Sequence, residues 1–87
     1  MKPLRTTDIR VLELVRVLGP CSLKTLTKRL TATPPGKPAF LAVLKATGWV
    51  LRHLAEKELV WMSEANEWDA TELGRSYLEW MWQARRA

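Results

Sequence analysis

The sequence predicts a small α+β domain whose helices (α) and strands (β) follow the order α-α-α-β-β-α. Three observations predict this fold class. Apolar residues recur at helical spacing between residues 7 and 57, two short strand-like segments follow in residues 58–70, and a capped helical pattern closes the chain. Eighty-seven residues suffice for one domain with a single core, over residues 1–87, and are too few for two.

The first predicted helix is capped by Thr7 or Asp8 and ends at Leu18. Gly19-Pro20 ends it, because glycine tolerates a left-handed cap and proline cannot continue a helix. The apolar residues that share its spacing are Ile9, Leu12, and Val15 or Val17.

A second helix is predicted over residues 23–30, with Ser22 as its N-cap and one apolar face formed by Leu23, Leu26 and Leu30. Residues 31–38 form a loop, since Pro34-Pro35-Gly36 permits neither a helix nor a central strand.

The third predicted helix is long and runs from Pro38, which suits a first-turn position, to Lys57. One face stays in register over its whole length and carries Phe40, Leu44, Thr47, Leu51 and Leu54, which favours a single helix. Gly48 costs about 1 kcal/mol relative to alanine in mid-helix, so a break at Thr47-Gly48, with Thr47 capping a shorter segment, is the alternative.

Residues 58–62 and 67–70 are predicted to be the strands of a hairpin, joined by a turn at residues 63–66 in which Asn66 can take a positive φ. Thr71 is predicted to cap the last helix, and Arg85-Arg86 suit its C-terminal end. One face of this helix is expected to carry Leu73, Tyr77, Trp80 and Met81.

The charge is unevenly distributed along the chain. The net charge is +5, but residues 1–57 carry eleven Lys and Arg against three acidic residues, a net +8, and residues 58–87 carry a net −3. A basic first part and an acidic last part of the chain suit a domain that presents one side to a polyanion. The alternative is an ordinary solvated surface of uneven charge.

Several classes of protein are disfavoured by the composition. No apolar run approaches the roughly 20 residues that span a bilayer, and the N-terminus lacks the apolar core of a signal peptide, so a cytoplasmic protein is expected. Cys21 is the only cysteine and His53 the only histidine, which excludes an intramolecular disulfide and a four-ligand Cys/His zinc site. We expect neither a metal nor a cofactor.

Catalytic motifs are also missing. The chain has no phosphate loop, no Gly-rich dinucleotide turn and no Gly-x-Ser-x-Gly elbow. Cys21 lies at a predicted helix start, where the helix dipole could lower the pKa of its thiol, but a Cys-His enzyme would also require His53 beside it. A small buried cysteine is the favoured interpretation, and we predict no catalytic residue.

The third helix carries residues suited to DNA contact. Facing away from its apolar stripe are Lys45, Trp49, Arg52 and His53. Arginine can bond guanine in a bidentate manner, lysine neutralises phosphate, and an indole can pack against sugar or a thymine methyl group. Additional phosphate-contact candidates are Lys24, Lys28, Arg29 and Lys37. Trp49 could instead cover the core or a partner subunit.

Two motifs resemble a known family. The run Val50–Val60 is similar to the end of the recognition helix in bacterial winged-helix regulators of the MarR and PadR kind, which reads leucine, two residues, leucine, two residues, lysine, glycine, leucine, valine. Thr71–Leu78 is similar to their "leucine-threonine-x-x-glycine" entry to the helix after the wing. With the helix from Ser22 to Leu30, the resemblance covers most of residues 8–80. It implies a winged helix-turn-helix with a two-stranded wing, in which the third helix enters the DNA major groove.

The chain departs from that family in three places. Glu58 stands where those proteins usually have glycine, and the segment from Leu30 to Leu59 is about ten residues longer than usual. The wing contains no Lys or Arg and carries Glu64, Glu67 and Asp69 instead. Phosphate would repel these carboxylates, so either this wing points away from DNA or the domain binds something else.

Four tryptophans lie in the last third of the chain, two in the predicted hairpin and two in the last helix. Trp61 and Trp68 flank the wing turn, where cross-strand aromatic pairs stabilise short hairpins. Trp80 and Trp82 lie two residues apart on a helix, roughly 200° around its axis, so both cannot face one core. One should be exposed, at a dimer or partner interface, unless the helix end folds onto the domain's own surface.

Together these features predict a sequence-specific double-stranded DNA-binding protein, a small prokaryotic or phage transcriptional regulator that acts as a dimer. No small-molecule ligand is evident in the sequence. The alternative is a winged-helix protein–protein interaction module that uses the acidic, Trp-bearing wing and the last helix.

Overall fold

The computed structural model describes residues 4–86, with the side chain of Arg86 outside the described part. Its elements are α1 (Thr6–Leu18), α2 (Leu23–Leu30), α3 (Pro38–Glu56), β1 (Val60–Met62), β2 (Trp68–Ala70) and α4 (Glu72–Arg86). The predicted α+β class and the order α-α-α-β-β-α are confirmed. One core joins all four helices to the hairpin and is built around Leu12, Leu26, Leu51, Leu54, Leu59 and Leu78.

Helix α1 begins at Thr6, with Arg5 at the N-cap instead of the predicted Thr7 or Asp8. Asp8 stabilises this end from inside the first turn, because its carboxylate accepts the backbone N–H of Arg5 at 3.1 Å. Gly19 ends the helix as predicted, with φ +71° and its N–H donated to the carbonyl of Val15. The expected apolar face was partly wrong, since Val17 is 78% exposed and Val11 is buried.

Helix α2 has the predicted bounds. Ser22 is its N-cap, and the Ser22 hydroxyl accepts the N–H of Thr25 at 3.2 Å. Leu26 is buried, and Leu23 and Leu30 pack against the core from its margin.

Helix α3 is a single unbroken helix, so the alternative break at Thr47-Gly48 is wrong. Thr47 is buried and donates its hydroxyl to the carbonyl of Val43 at 2.8 Å, a helix-interior bond rather than a cap. Gly48 faces α2, where an added Cβ would meet the Leu23 side chain at an ordinary 3.6 Å. Phe40, Thr47, Leu51 and Leu54 of the predicted stripe are buried, and Leu44 is half-buried.

Glu58 ends α3 in a left-handed conformation, with φ +61°. The Glu58 N–H is donated to the carbonyl of Ala55 and the Leu59 N–H to that of Leu54, each at 2.9 Å. These are the two hydrogen bonds of a Schellman motif, and the buried Leu54 and Leu59 supply its apolar contact. Glu58 therefore has a backbone conformation that favours glycine.

The hairpin is shorter than predicted and antiparallel, pairing Trp61 with Asp69 and Met62 with Trp68. Asn66 has the expected positive φ of 60°. Because this register puts Trp61 and Trp68 on opposite faces, they form no cross-strand aromatic pair; Trp68 is buried and Trp61 is exposed. The loop after α1 adds to the sheet, since Cys21 and Trp68 exchange backbone hydrogen bonds of 3.0 and 2.7 Å.

Helix α4 starts as predicted, with the Gly74 N–H donated to the hydroxyl of Thr71 at 3.0 Å. Gly74 allows the helix to lie directly on the start of the hairpin, because a Cβ here would overlap the carbonyl oxygen of Leu59. This contact turns Gly74, Leu78 and Met81 inward. The expected apolar face was therefore wrong in part: Met81 is buried, whereas Leu73 and Trp80 are exposed.

Within residues 4–86, none of the helices combines the length and the apolar character that crossing a membrane requires.

Candidate nucleic-acid interface

The outward face of α3 carries the four residues singled out for base contact. Lys45, Trp49 and Arg52 follow one another at intervals of four and three residues and form one exposed row. Trp49 is 64% exposed, so covering the core is not its role in this chain. The row lies opposite the buried face of Phe40, Thr47, Leu51 and Leu54.

His53 extends this row through its contact with Trp49. The two rings are stacked, with centroids 4.9 Å apart and planes inclined by 13°. The Nδ1 atom of His53 also lies 3.8 Å from a carboxylate oxygen of Glu56, one turn further along α3. The stacked pair is exposed to solvent.

The basic residues of α2 divide between two surfaces. Lys24 and Lys28 lie one turn apart on its exposed face, where both ammonium groups can reach a polyanion. Arg29 instead lines a shallow groove against α1, together with Arg10 and Glu13. Lys37 is exposed at the N-cap of α3. The helices thus do not place Arg29 with Lys24 and Lys28.

The charged groups of α2 and α3 are available to a ligand. Among residues 4–85, the ion pairs are Arg16–Glu79 at 3.0 Å and Arg75–Asp69 at 3.8 Å, and Nδ1 of His53 lies 3.8 Å from Glu56. None involves Lys24, Lys28, Arg29, Lys37, Lys45 or Arg52. Phosphate would therefore not have to displace an internal carboxylate from any of these six cations.

Two grooves lie between α1 and α3, and both add residues that sequence reasoning missed. One, of about 430 Å³, has an apolar floor that includes Val43, Ala46 and Val50, with Arg10 at its wall. The other, of about 460 Å³, brings Arg5 and Lys57 beside Trp49 and His53. Arg5 precedes α1 and lies far from Trp49 in sequence, so no local pattern could have associated them.

The hairpin is acidic in the structure as in the sequence. Glu64 is exposed at the turn, and Glu67 and Asp69 are half-buried on β2 or beside it. Arg75 of α4 offsets the charge of Asp69 from 3.8 Å, and Trp61 stands exposed on the neighbouring strand. This surface offers carboxylates and an indole rather than cations.

Cys21 is a buried structural residue. Its thiol donates a weak hydrogen bond to the carbonyl of Trp68, with 3.8 Å between Sγ and oxygen. Burial raises the pKa of this thiol, and the negative charges of Asp69 and Glu67 raise it further. The pKa of this thiol is therefore raised, not lowered as the position at a helix start suggested.

The two tryptophans of α4 have separate environments. Trp80 is 65% exposed and lies against Tyr77, with ring centroids 6.0 Å apart and planes at 45°. Trp82 packs half-buried against the core, and the Arg16 guanidinium carbon lies 4.7 Å from its ring centroid. Trp80, and not Trp82, is the exposed indole.

Comparisons of this chain with protein families, with characterised proteins and with solved structures found no match.

Proposed function

We propose that this chain is a winged helix-turn-helix protein that binds double-stranded DNA sequence-specifically and regulates transcription in a prokaryotic or phage system. The observation that carries the proposal is the exposed row of Lys45, Trp49 and Arg52 on α3, in which neither cation has an ion-pair partner among residues 4–85. The order α-α-α-β-β-α, with the hairpin directly after this helix, is consistent with a recognition helix followed by a wing.

Each part of this surface would have its own task. Arg52 has the donor geometry to read a guanine edge in the major groove, and Lys45 to neutralise a phosphate. Lys24 and Lys28, on the exposed face of α2, would contact the flanking backbone and set the register. The acidic wing would be directed away from the phosphates. The role is one of binding, exercised in the cytoplasm where DNA is accessible.

The proposed regulator acts as a homodimer through α4. Leu73, Tyr77 and Trp80 follow one another at intervals of four and three residues, which is the spacing of a helix-packing seam. Leu73 and Trp80 are at least half exposed, so the stripe is open to a second copy. Two such stripes can meet across a twofold axis, the commonest symmetry of homo-oligomers.

The DNA-binding proposal is tested by titrating a labelled duplex with the protein at several salt concentrations. Affinity should fall steeply with salt, because each phosphate contact releases counterions. Arg52→Gln and Lys45→Gln should weaken binding by about tenfold each, since each removes a charge-assisted contact worth about 1–3 kcal/mol.

The matched control is Arg85→Gln, which removes the same charge from an exposed position on α4. It should leave affinity nearly unchanged. The proposal fails if no duplex binds, if salt has no effect, or if Arg85→Gln weakens binding as much as Arg52→Gln.

A protein–protein interaction module is the second candidate, and the exposed wing is the observation that favours it. Trp61 and Met62 are about half exposed next to Glu64, on a hairpin without basic residues. A partner docked there would depend on Trp61, because buried aromatic anchors dominate interfaces. Loss of partner binding in Trp61→Ala together with normal binding in Arg52→Gln would support this candidate over DNA.

A further inference from the structure

We propose that the groove beside Trp49 and His53 holds one unstacked base of a single-stranded or distorted stretch of nucleic acid. The inference rests on the proposed nucleic-acid-binding role of α3 and names a second kind of ligand for that surface. The protein would accordingly prefer a duplex with an unpaired, base-bearing end over the same duplex with a blunt end.

The aromatic pair has the geometry of a stacking platform. The rings of Trp49 and His53 are already nearly parallel at 4.9 Å, so their rotamers need little further ordering when another ring joins the stack. The Trp49 side chain is 64% exposed, and Trp49 lines a groove of about 460 Å³. This space is ample for one planar base lying against the indole.

The charges around the groove suit a nucleotide. Arg5 and Lys57 line it, while Asp8 is the acidic residue of its wall. The Asp8 carboxylate accepts the backbone N–H of Arg5 at 3.1 Å, and a carboxylate oxygen of Glu56 lies 3.8 Å from Nδ1 of His53. A base can occupy the apolar wall formed by Trp49, Val50 and Leu4 while its phosphates approach Arg5 and Lys57.

The interior of a regular duplex offers no base face to this platform. Both faces of every internal base are covered by its neighbours, so only base edges are offered to a protein in the grooves. An exposed π-face gains a full stack only from a base that has left the helix, as at an end, a bulge or a single strand. The flat aromatic pair is thus better matched to an unpaired base than to a groove edge.

The test measures binding of three labelled probes at low salt. The first is a blunt duplex of about two helical turns. The second is the same duplex with a short thymidine tail, and the third carries a tail of equal length made of abasic nucleotides. The two tails have equal phosphate charge, so the ratio of their affinities isolates the bases.

We expect the thymidine-tailed duplex to bind about 5–100-fold more tightly than the abasic-tailed one, the effect of about one base–aromatic stack. Trp49→Leu should bring this ratio close to one, whereas Trp49→Phe, which keeps an aromatic face, should retain much of it. Trp61→Leu is the matched control, because it removes another exposed indole, from the hairpin, and should leave the ratio unchanged.

The possible failures are distinguishable. Salt-dependent binding of the blunt duplex with equal affinity for both tails overturns this inference and leaves the proposed function intact. A ratio that Trp49→Leu does not change also overturns it. Binding of the thymidine tail without any binding of the blunt duplex supports the inference and contradicts duplex recognition. Absence of binding to all three probes rejects both proposals.

Discussion

Glu58 holds the most strained backbone position in the turn between α3 and the hairpin. A residue other than glycine at φ +61° loses about 1–2 kcal/mol to contacts of its Cβ, and the exposed Glu58 side chain forms no ion pair within residues 4–85 to offset this loss. Glu58→Gly removes the Cβ and keeps both Schellman hydrogen bonds. We expect the free energy of unfolding to rise by about 1 kcal/mol, measured by urea denaturation with an unchanged m value.

Glu56→Gly is the control for that substitution, because it removes the same side chain two residues earlier, at the last residue of α3. It should lower stability, since glycine in a helix is less favourable than other residues. Equal effects from the two substitutions would contradict the role given to the left-handed backbone.

Cys21 predicts a dependence of stability on alkaline pH. Burial raises the pKa of the thiol in the folded protein above its ordinary value of 9.0, so folding favours the protonated form. The stability that Cys21 contributes is fully present below the pKa of the thiol in the unfolded chain. It is lost as pH rises toward the higher pKa of the thiol in the folded protein, because the unfolded chain releases this proton first. Between about pH 8 and pH 10 the protein should lose more stability than Cys21→Ala, by urea denaturation. Parallel losses in the two proteins would refute the prediction.

At the scale of the elements, replacing either of two helical glycines by alanine is expected to change the free energy of unfolding, in opposite directions at the two positions. In Gly74→Ala the new Cβ would overlap the carbonyl oxygen of Leu59 and lie only 3.1 Å from the carbonyl carbon of Leu59. Helix α4 would therefore have to shift away from the hairpin. We expect a loss of about 1–3 kcal/mol or more in the free energy of unfolding. Gly48→Ala meets only Leu23 at 3.6 Å and should instead gain about 1 kcal/mol from helix propensity. Thermal or urea unfolding of both variants would check the two signs.

The bounds of the elements were predictable because local chemistry sets them. Ser22, Gly19 and Thr71 are capping residues whose hydrogen bonds span only three or four positions, and each acts as its residue type indicates. The observed N-cap of α1 lies two to three residues before the predicted one, because Asp8 stabilises the helix from its third position instead of from its cap.

The inward face of α4 was not predictable from spacing. This helix carries apolar residues on two sides, and periodicity cannot say which side meets the core. The inward side is determined by Gly74, whose lack of a side chain permits contact with Leu59, fifteen positions earlier.

The candidate site was likewise predictable only where local spacing determines it. The exposed positions on α3 followed from helical period, but the association of Arg5 and Lys57 with Trp49 depends on tertiary packing.

For the molecule as a whole, the uncovered stripe on α4 predicts self-association. Trp80 is 65% exposed with Leu73 and Tyr77 beside it. Trp80→Gln should shift the protein toward the monomer in sedimentation equilibrium without loss of helical circular dichroism, because it removes the largest apolar contact of the proposed seam. Trp61→Gln, on the wing, is the comparison variant and should leave the association constant unchanged. A wild-type protein that stays monomeric at high concentration would refute the prediction.

The contact between Leu59 and Gly74 also limits how the wing can move. The Thr71 N–H donates to the carbonyl of Leu59 at 3.0 Å, and the Thr71 hydroxyl donates to the carbonyl of Glu58. These hydrogen bonds fix the base of the hairpin to the start of α4. We expect the hairpin and α4 to move together as one rigid unit, with no hinge between them. In a dimer formed through α4, the angle between the two α4 helices would therefore also set the separation and tilt of the two wings.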